Sequence, residues 1–260
     1  MPGTWNTVYG CVPGTSHEVR GEPCQDAALV RVVSSAEGAA LVATCADGAG
    51  SAEHSRFGSQ TACRRAVAAI SGAIEDGLSV RDIEKSHIGR WYEHVRSYIA
   101  FEACIQNLPI REFACTLLVA IVGEQRAVFA QIGDGAIVIN EDGLYRPVFW
   151  PQSGEYANTT TFVTADNYAE TIACCSVERP VDDLALFTDG LQSLALHYAT
   201  KSAHSPFFAP MFHSLRNAPA AEELVQPLKD FLSSPAVNDR TDDDKTLVLA
   251  SRTLADNATS

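Results

Sequence analysis

The sequence predicts an α+β fold in which antiparallel sheet packs against helices, and three observations carry that prediction. Strand-like segments fall in two batches, one ending near residue 46 and one beginning near residue 116. Two long segments of helical period separate them, so the regular strand–helix alternation of a parallel sheet is missing. No internal repeat and no Pro-, Gly- or Ser-rich linker interrupts the 260 residues, so residues 1–260 are expected to form a single domain.

The first strands are expected at 8–11 and 27–33, the second closed by the turn-like run Ser34-Ser35-Ala36-Glu37-Gly38. Residues 39–46 (AALVATCA) form a short apolar run ending in Asp47-Gly48, which suits a buried strand whose C-terminal end delivers an aspartate. The period then lengthens. Phe57, Ala62, Val67 and Ile70 mark a helix over 55–74, with Gly72 and Gly77 at its end. Ile83, Ile88, Trp91, Val95 and Ile99 recur every three or four residues and predict a second long helix over 80–106, stopped by Pro109.

Strand character returns at 116–122 and 127–132, which flank Gly123-Glu124-Gln125 as a hairpin, and at 136–140 after Gly133-Asp134-Gly135. Residues 146–161 read as a loop, 162–164 and 171–177 as weak strands. A buried strand at 184–188 again ends in Asp-Gly, at Asp189-Gly190. A helical region interrupted by Pro206, Pro210, Pro219 and Pro227 runs to about residue 232, and a last strand is expected at 246–251.

Composition removes several function classes. An apolar content of 46% with 20% charged residues is that of a globular chain, not a disordered one. The balance of 19 Lys+Arg against 32 Asp+Glu leaves a formal charge of −13, and no basic stripe offsets it, so nucleic acid is not an expected partner. The start MPGTWNTVYG lacks the basic and apolar regions of an export signal, and no run approaches the ~18 apolar residues of a spanning helix. A cytoplasmic protein without a membrane partner is expected, and a monomer. The eight cysteines form no C-x-x-C and read as small buried apolar residues in a reducing compartment, not as a disulfide framework or a zinc site.

The most informative feature is the repeated aspartate at a glycine-marked strand exit: Asp47 in CADGAGS, Asp134 in IGDGA and Asp189 in FTDGL. Asp26 in CQDA precedes a strand, as do Asp242, Asp243 and Asp244 in TDDDK. Each alone is an ordinary turn dipeptide. Together, at the ends of strands that could neighbour one another, they would repel unless something positive lay between them. Hard divalent cations, Mg²⁺ or Mn²⁺, prefer that all-oxygen environment, and the Gly48 carbonyl could join it. Two such ions could activate a bridging water for in-line attack on a phosphoryl group. They would also supply the local positive field that a chain of this charge needs to bind phosphate.

The pieces GTSHEVRGEPCQDA (14–27), LVATCADGAGSAEHSRFGSQTA (41–62), REFACTLLVAIVGEQRAVFAQIGDGAIVI (111–139), DDLALFTDGL (182–191) and DDKTLVLA (243–250), in that order, resemble the metal-dependent protein serine/threonine phosphatases of the protein phosphatase 2C type, more narrowly their bacterial branch. The resemblance implies a sandwich of two antiparallel sheets flanked by helices, in four α-β-β-α layers, with metals at one edge. It implies that Asp47 bridges two ions, that the Gly48 carbonyl binds the first, and that Asp189 and Asp243 hold the second. Asp26 would orient bound water or touch a metal, and Asp134 would be mainly structural. Glu112 falls where bacterial members place a third-metal carboxylate, so two ions or three are implied.

The sequence departs from the family at two positions. The arginine that grips substrate phosphate is missing at its usual place, where Gly21 stands; Arg20 or His17 is the substitute substrate-binding residue. The leaving-group histidine is replaced by Ala49, with His54 the nearest candidate on that segment. Arginine alone offers bidentate phosphate recognition.

Other chemistries lack their residues. Ser51 has no G-x-S-x-G, no cysteine begins a C-x₅-R loop, and no phosphate-binding P-loop is present. The expected activity is therefore hydrolysis of phosphoserine and phosphothreonine monoesters in proteins by a hydroxide bridging two dications, with Asp47, Asp189 and Asp243 at its centre. Two alternatives stand beside it: a phosphatase of a small phosphorylated metabolite, and a catalytically weak sensor of phosphoproteins.

Overall fold

The computed structural model describes residues 4–151 and 160–253. Two five-stranded sheets, antiparallel throughout, carry the architecture. The first holds β1 (Thr4–Val12), β6 (Ala136–Glu141), β7 (Leu144–Pro147), β9 (Asp183–Phe187) and β12 (Lys245–Thr253), in the order β1-β12-β9-β6-β7. The second holds β2 (Ala27–Ser35), β3 (Gly38–Ala46), β4 (Leu117–Val122), β5 (Ala127–Ile132) and β8 (Ala173–Val177), in that order. A short hairpin of β10 (Leu196–His197) and β11 (Ser202–Ala203) stands apart from both.

The sheets face each other across one apolar layer. Leu41, Leu118 and Phe129 of the second sheet meet Ile137, Leu186 and Val248 of the first. The outer face of the second sheet is covered by α2 (Ser55–Glu75) and α3 (Lys85–Ile105), whose Ile70, Tyr92 and Ile99 pack in one cluster with Val42 and Val119. The outer face of the first sheet is covered by α6 (Ser205–Asn217) and α7 (Val225–Leu232), with Phe208, Phe212 and Leu228 against Phe187 and Leu247. The result is the expected α-β-β-α sandwich. Burial on both faces explains why β3 and β4 read as unbroken apolar runs instead of alternating ones. Among the described residues no helix is long and apolar enough to cross a membrane.

Several elements differ from the sequence expectation. The helix expected from residue 80 begins at Lys85; Val80–Asp82 is a single 3₁₀ turn whose Arg81 N–H is capped by Ser79 Oγ at 3.0 Å, followed by extended backbone at Ile83 and Glu84. The expected loop 146–161 begins as β7, because the turn at Asp142-Gly143 folds the chain back onto β6; residues 152–159 of that loop lie outside the described residues. No strand forms at 162–164. There the Val163 N–H donates to Cys115 O and Ala165 N–H to Phe162 O, which bends the chain into a turn. The segment expected as strand from 171 splits into α4 (Tyr168–Thr171) and β8, and the helical region after residue 190 contains α5 (Gln192–Ala195), the β10–β11 hairpin and α8 (Pro235–Asn238) besides α6 and α7. All eight cysteines are free, but only Cys45, Cys63 and Cys115 are buried, and Cys104 is exposed on α3.

Strand pairing decides which chain ends meet. Ala27 of β2 lies opposite Ala46 of β3, so Asp26 and Asp47 continue side by side past the register. Leu247 of β12 lies opposite Phe187 of β9, which sets the residues before β12 beside Asp189. The turn at Gly133–Gly135 carries the chain from β5 in one sheet to β6 in the other. Five acidic segments therefore reach one edge of the sandwich.

Candidate metal centre

Carboxylate oxygens of Asp47, Asp134 and Asp189 lie within 4.8 Å of one another, and all three side chains are half-buried. They come from three separate strand exits, at the end of β3, the β5–β6 turn and the end of β9. Each is held by its neighbours. The Asp47 backbone is fixed in both directions by Thr116, as donor to Oγ1 and as acceptor from N–H, each at 2.8 Å. Asp134 accepts at Oδ2 from the Thr160 hydroxyl. Gly190, directly after Asp189, abuts the start of β12, where a Cβ would come 2.1 Å from Asp244 O.

Behind this trio, Asp26 is 5% exposed and accepts at Oδ2 from Thr188 Oγ1 at 2.7 Å. Burial above all holds these carboxyls above the ordinary carboxylate range, Asp26, Asp47 and Asp189 well above it. The neighbouring acids add to the effect, and the Thr188 and Thr160 hydroxyls oppose it at Asp26 and Asp134. Asp189 is pushed up to about 8 by burial and by Asp47, Asp134 and Asp243. Asp47 and Asp26 go up for the same reasons, burial first and then mutual repulsion with the other acids. Asp134 rises through burial, with the Thr160 hydroxyl opposing.

The donor set tests whether a dication fits. It is all oxygen, and it includes two buried carboxylate oxygens, Asp26 Oδ1 and Asp134 Oδ1, that have no hydrogen-bond partner among the described residues. Buried carboxylates at this spacing ionise together only with a positive charge between them, and hard cations take such ligands. The residues present fit Mg²⁺ or Mn²⁺.

Residues 13–233 match the sequence profile of the family described as Protein phosphatase 2C. The chain is 38% identical over 254 residues to serine/threonine-protein phosphatase 3 of Escherichia coli K12, covering 95% of this chain and 98% of that one. The chain belongs to the protein phosphatase 2C family. It is a phosphatase. Solved structures agree on the fold. The serine/threonine phosphatase Stp1 of Staphylococcus aureus superposes with a TM-score of 0.65 at 14% identity, over 96% of both chains. The catalytic domain of PstP, solved in complex with two manganese ions, superposes at 0.62 and 16%, over 96% of this chain and 99% of that one.

The remaining site candidates of this phosphatase are placed as follows. Gly48 forms a bridge with Cys115, and a Cβ there would come 2.6 Å from Gln25 O, so a residue without a side chain is what lets the 25–26 segment approach. Asp243 is exposed, and its charge acts on Asp47, Asp134 and Asp189 from the rim. Glu112 lies outside the trio, beside the 53–54 segment: its Oε2 is 3.5 Å from Glu53 N, and its carbonyl accepts from His54 N–H. His54 stacks on Phe113 at 5.1 Å. Arg20 is exposed and paired with Glu22 Oε2 at 2.7 Å.

His17, on the short helix α1 (Thr15–Arg20), is 5% exposed and engaged elsewhere. Its Nδ1 donates to Asp244 Oδ1 at 2.8 Å, and the same carboxylate accepts from Gly14 N at 2.7 Å and Gln25 N at 2.6 Å. Asp244 therefore pins the loop that carries Asp26 to the start of β12. Sequence reasoning named Asp244 only as part of the acidic run before the last strand, gave Asp134 a mainly structural part, and did not single out Thr116 or Thr188. For Asp134 the signal was present, because IGDGA repeats the strand-exit pattern of Asp47 and Asp189.

Proposed function

We propose that this phosphatase hydrolyses phosphoserine and phosphothreonine in proteins, using two Mg²⁺ or Mn²⁺ ions held at the acidic edge of the sandwich. The observation that carries the reading is the convergence of Asp47, Asp134 and Asp189 within 4.8 Å from three strand ends remote in sequence. In this reading Asp47 would serve both ions, Gly48 O and Asp26 would complete the first, Asp189 and Asp243 would hold the second, and Asp134, the third member of the trio, would be available to either. Glu112 is retained as the carboxylate for a third ion. Bound ions would neutralise the phosphoryl oxygens and lower the pKa of attacking water.

The protein's own contribution is positional. Thr116 fixes the Asp47 backbone, Thr188 turns Asp26, and Asp244 holds the loop between Gly14 and Gln25 against β12. Arg20 is the exposed cation proposed to meet substrate phosphate, a role for which it must exchange Glu22 for the incoming anion. His17, buried against Asp244, is a positioning residue in this reading. Protein substrates are supported by the 38% identity to a serine/threonine-protein phosphatase. We propose with it that residues 1–260 act as one phosphatase domain, a view supported by the apolar layer shared by both sheets. A cytoplasmic location, in keeping with eight free cysteines, is the accompanying expectation, and a monomer is proposed with it.

The test is turnover of p-nitrophenyl phosphate with and without Mn²⁺, followed by a panel of phosphoserine and phosphothreonine peptides against sugar phosphates. Metal-dependent release from the peptides is the expected result. Turnover confined to the small phosphates would replace the protein substrate by a metabolite. No metal-dependent turnover at all would leave a binding protein in its place.

A further inference from the structure

A cavity of about 760 Å³ opens between α6 and α7, on the outer face of the first sheet and away from the carboxylate trio. Its floor is the cross-strand pair Val8 and Leu249. Phe207 and Met211 of α6 line it on one side, Leu228 and Phe231 of α7 on the other. Sites for small molecules span roughly 300–1,000 Å³ and combine apolar walls with a few polar groups that fix orientation. This cavity has both parts.

Its polar groups belong to the segment that follows Asp189 and to the residues touching that segment. His204 Nδ1 lies 2.7 Å from His197 Nε2. Arg240 donates from Nη2 to Ser193 O at 3.3 Å, and among the described residues its guanidinium forms no ion pair within 4.0 Å. A fixed positive charge and two imidazoles line this one apolar cavity in a strongly acidic chain, a set that complements an anion with an apolar body.

The same segment reaches the acidic edge. Ser193 and Leu194 of α5 line the cavity. Gln192, one residue earlier, donates from Nε2 to Asp134 O and accepts from the Tyr198 hydroxyl. Displacing α5 from the cavity side therefore bears on the backbone of an aspartate in the trio.

We propose that this cavity is an effector site for a small amphipathic anion. The apolar body sits between α6 and α7, the anionic head lies at His197, His204 and Arg240, and occupancy alters turnover through Gln192.

The test uses the full native chain and two probes that share an aromatic body, 1-anilinonaphthalene-8-sulfonate and the uncharged N-phenyl-1-naphthylamine. Fluorescence titration should give one saturable site for each. Ser214 lines the cavity from α6 and lies outside the acidic edge. Ser214→Trp should abolish binding of both probes while leaving basal turnover unchanged; Met211→Trp serves as a second block if the first variant does not fold. Arg240→Gln should weaken the sulfonate about tenfold, the size of one charge-assisted contact, and leave the neutral probe unchanged. Saturating sulfonate should change Mn²⁺-dependent turnover of p-nitrophenyl phosphate about fivefold in the wild type and not in Ser214→Trp, a modest allosteric coupling. Probe binding that survives both blocking variants, equal loss of both probes in Arg240→Gln, or turnover unmoved at saturation would overturn the proposal.

Discussion

Asp47 and Thr116 are tied to each other twice: the Asp47 N–H donates to Thr116 Oγ1 and the Thr116 N–H donates to Asp47 O, both at 2.8 Å. The pairing extends β3 and β4 beyond their last regular rungs and fixes the exit from which Asp47 faces Asp134 and Asp189. Thr116 is itself fully buried. Thr116→Val keeps the shape and removes the acceptor, leaving the Asp47 N–H unpaired. We expect a loss of about 1–3 kcal/mol in chemical denaturation. Turnover should fall with it, even in protein shown to be folded; unchanged kcat would mean that Asp47 is held by other means.

Asp134 separates two descriptions of the site. As a turn residue it tolerates Asn, which favours the same backbone; as a ligand it does not. Calorimetric titration of Asp134→Asn should show Mn²⁺ binding weakened by about 100-fold or more, at or beyond the roughly 10–100-fold cost of losing a residue that only orients a ligand. Asp47→Asn should do the same and abolish metal-dependent turnover in a folded protein. Wild-type Mn²⁺ affinity in Asp134→Asn would return that residue to a purely structural part.

Stability of the metal-free protein should depend on pH in a defined direction. Asp189 has its carboxyl raised from about 3.8 to about 8 in the folded state, by burial and by the other aspartates. Between those values the folded protein holds a proton that the unfolded chain has released, so stability falls as pH rises. Thermal melts of metal-free protein should show the melting temperature declining from pH 5 to pH 8. Excess Mn²⁺ should raise the melting temperature most at the alkaline end. A metal-free melting temperature that climbs across this range would contradict the crowding of the carboxylates.

Asp244 supports the site without being part of the trio. Its two oxygens serve His17, Gly14 and Gln25, joining a loop near the N-terminus to the last strand. Asp244→Ala leaves the Gly14 and Gln25 N–H groups and the His17 ring without their acceptor and should cost on the order of 3 kcal/mol, at about 1–3 kcal/mol for each buried donor left unpaired. Thermal melts measure it. Asp243→Ala, at an exposed neighbouring position, removes one acceptor, that of the Asp244 N–H at 2.8 Å, and should cost clearly less; equal losses for the two variants would show that the pinning is not specific to Asp244.

Much of the fold is legible in the chain because its signals are local. The runs at 39–46, 116–122 and 184–188 declare buried strands through unbroken apolar character, and the three- to four-residue recurrence from Ile88 onward declares α3. The errors share a cause. The turn at 162–164 is anchored by the one hydrogen bond from Val163 N–H to Cys115 O, about fifty positions away, and β7 exists because its partner β6 lies beside it. Neither influence leaves a periodic trace in the segment it shapes.

The site divides along the same line. Sequence alone established that aspartates stand at glycine-marked strand exits, that the chain is too acidic to bind phosphate without help, and that no thiol or serine nucleophile has its motif. These are properties of neighbouring residues and of totals. Which exits meet was decided only in three dimensions: β12 lies between β1 and β9, and the β5–β6 turn crosses from one sheet to the other. That arrangement brought Asp134 into the trio and set the buried Asp244 to work as a clamp, since strand register acts between residues about fifty positions apart for β6 and β9 and more than two hundred apart for β1 and β12.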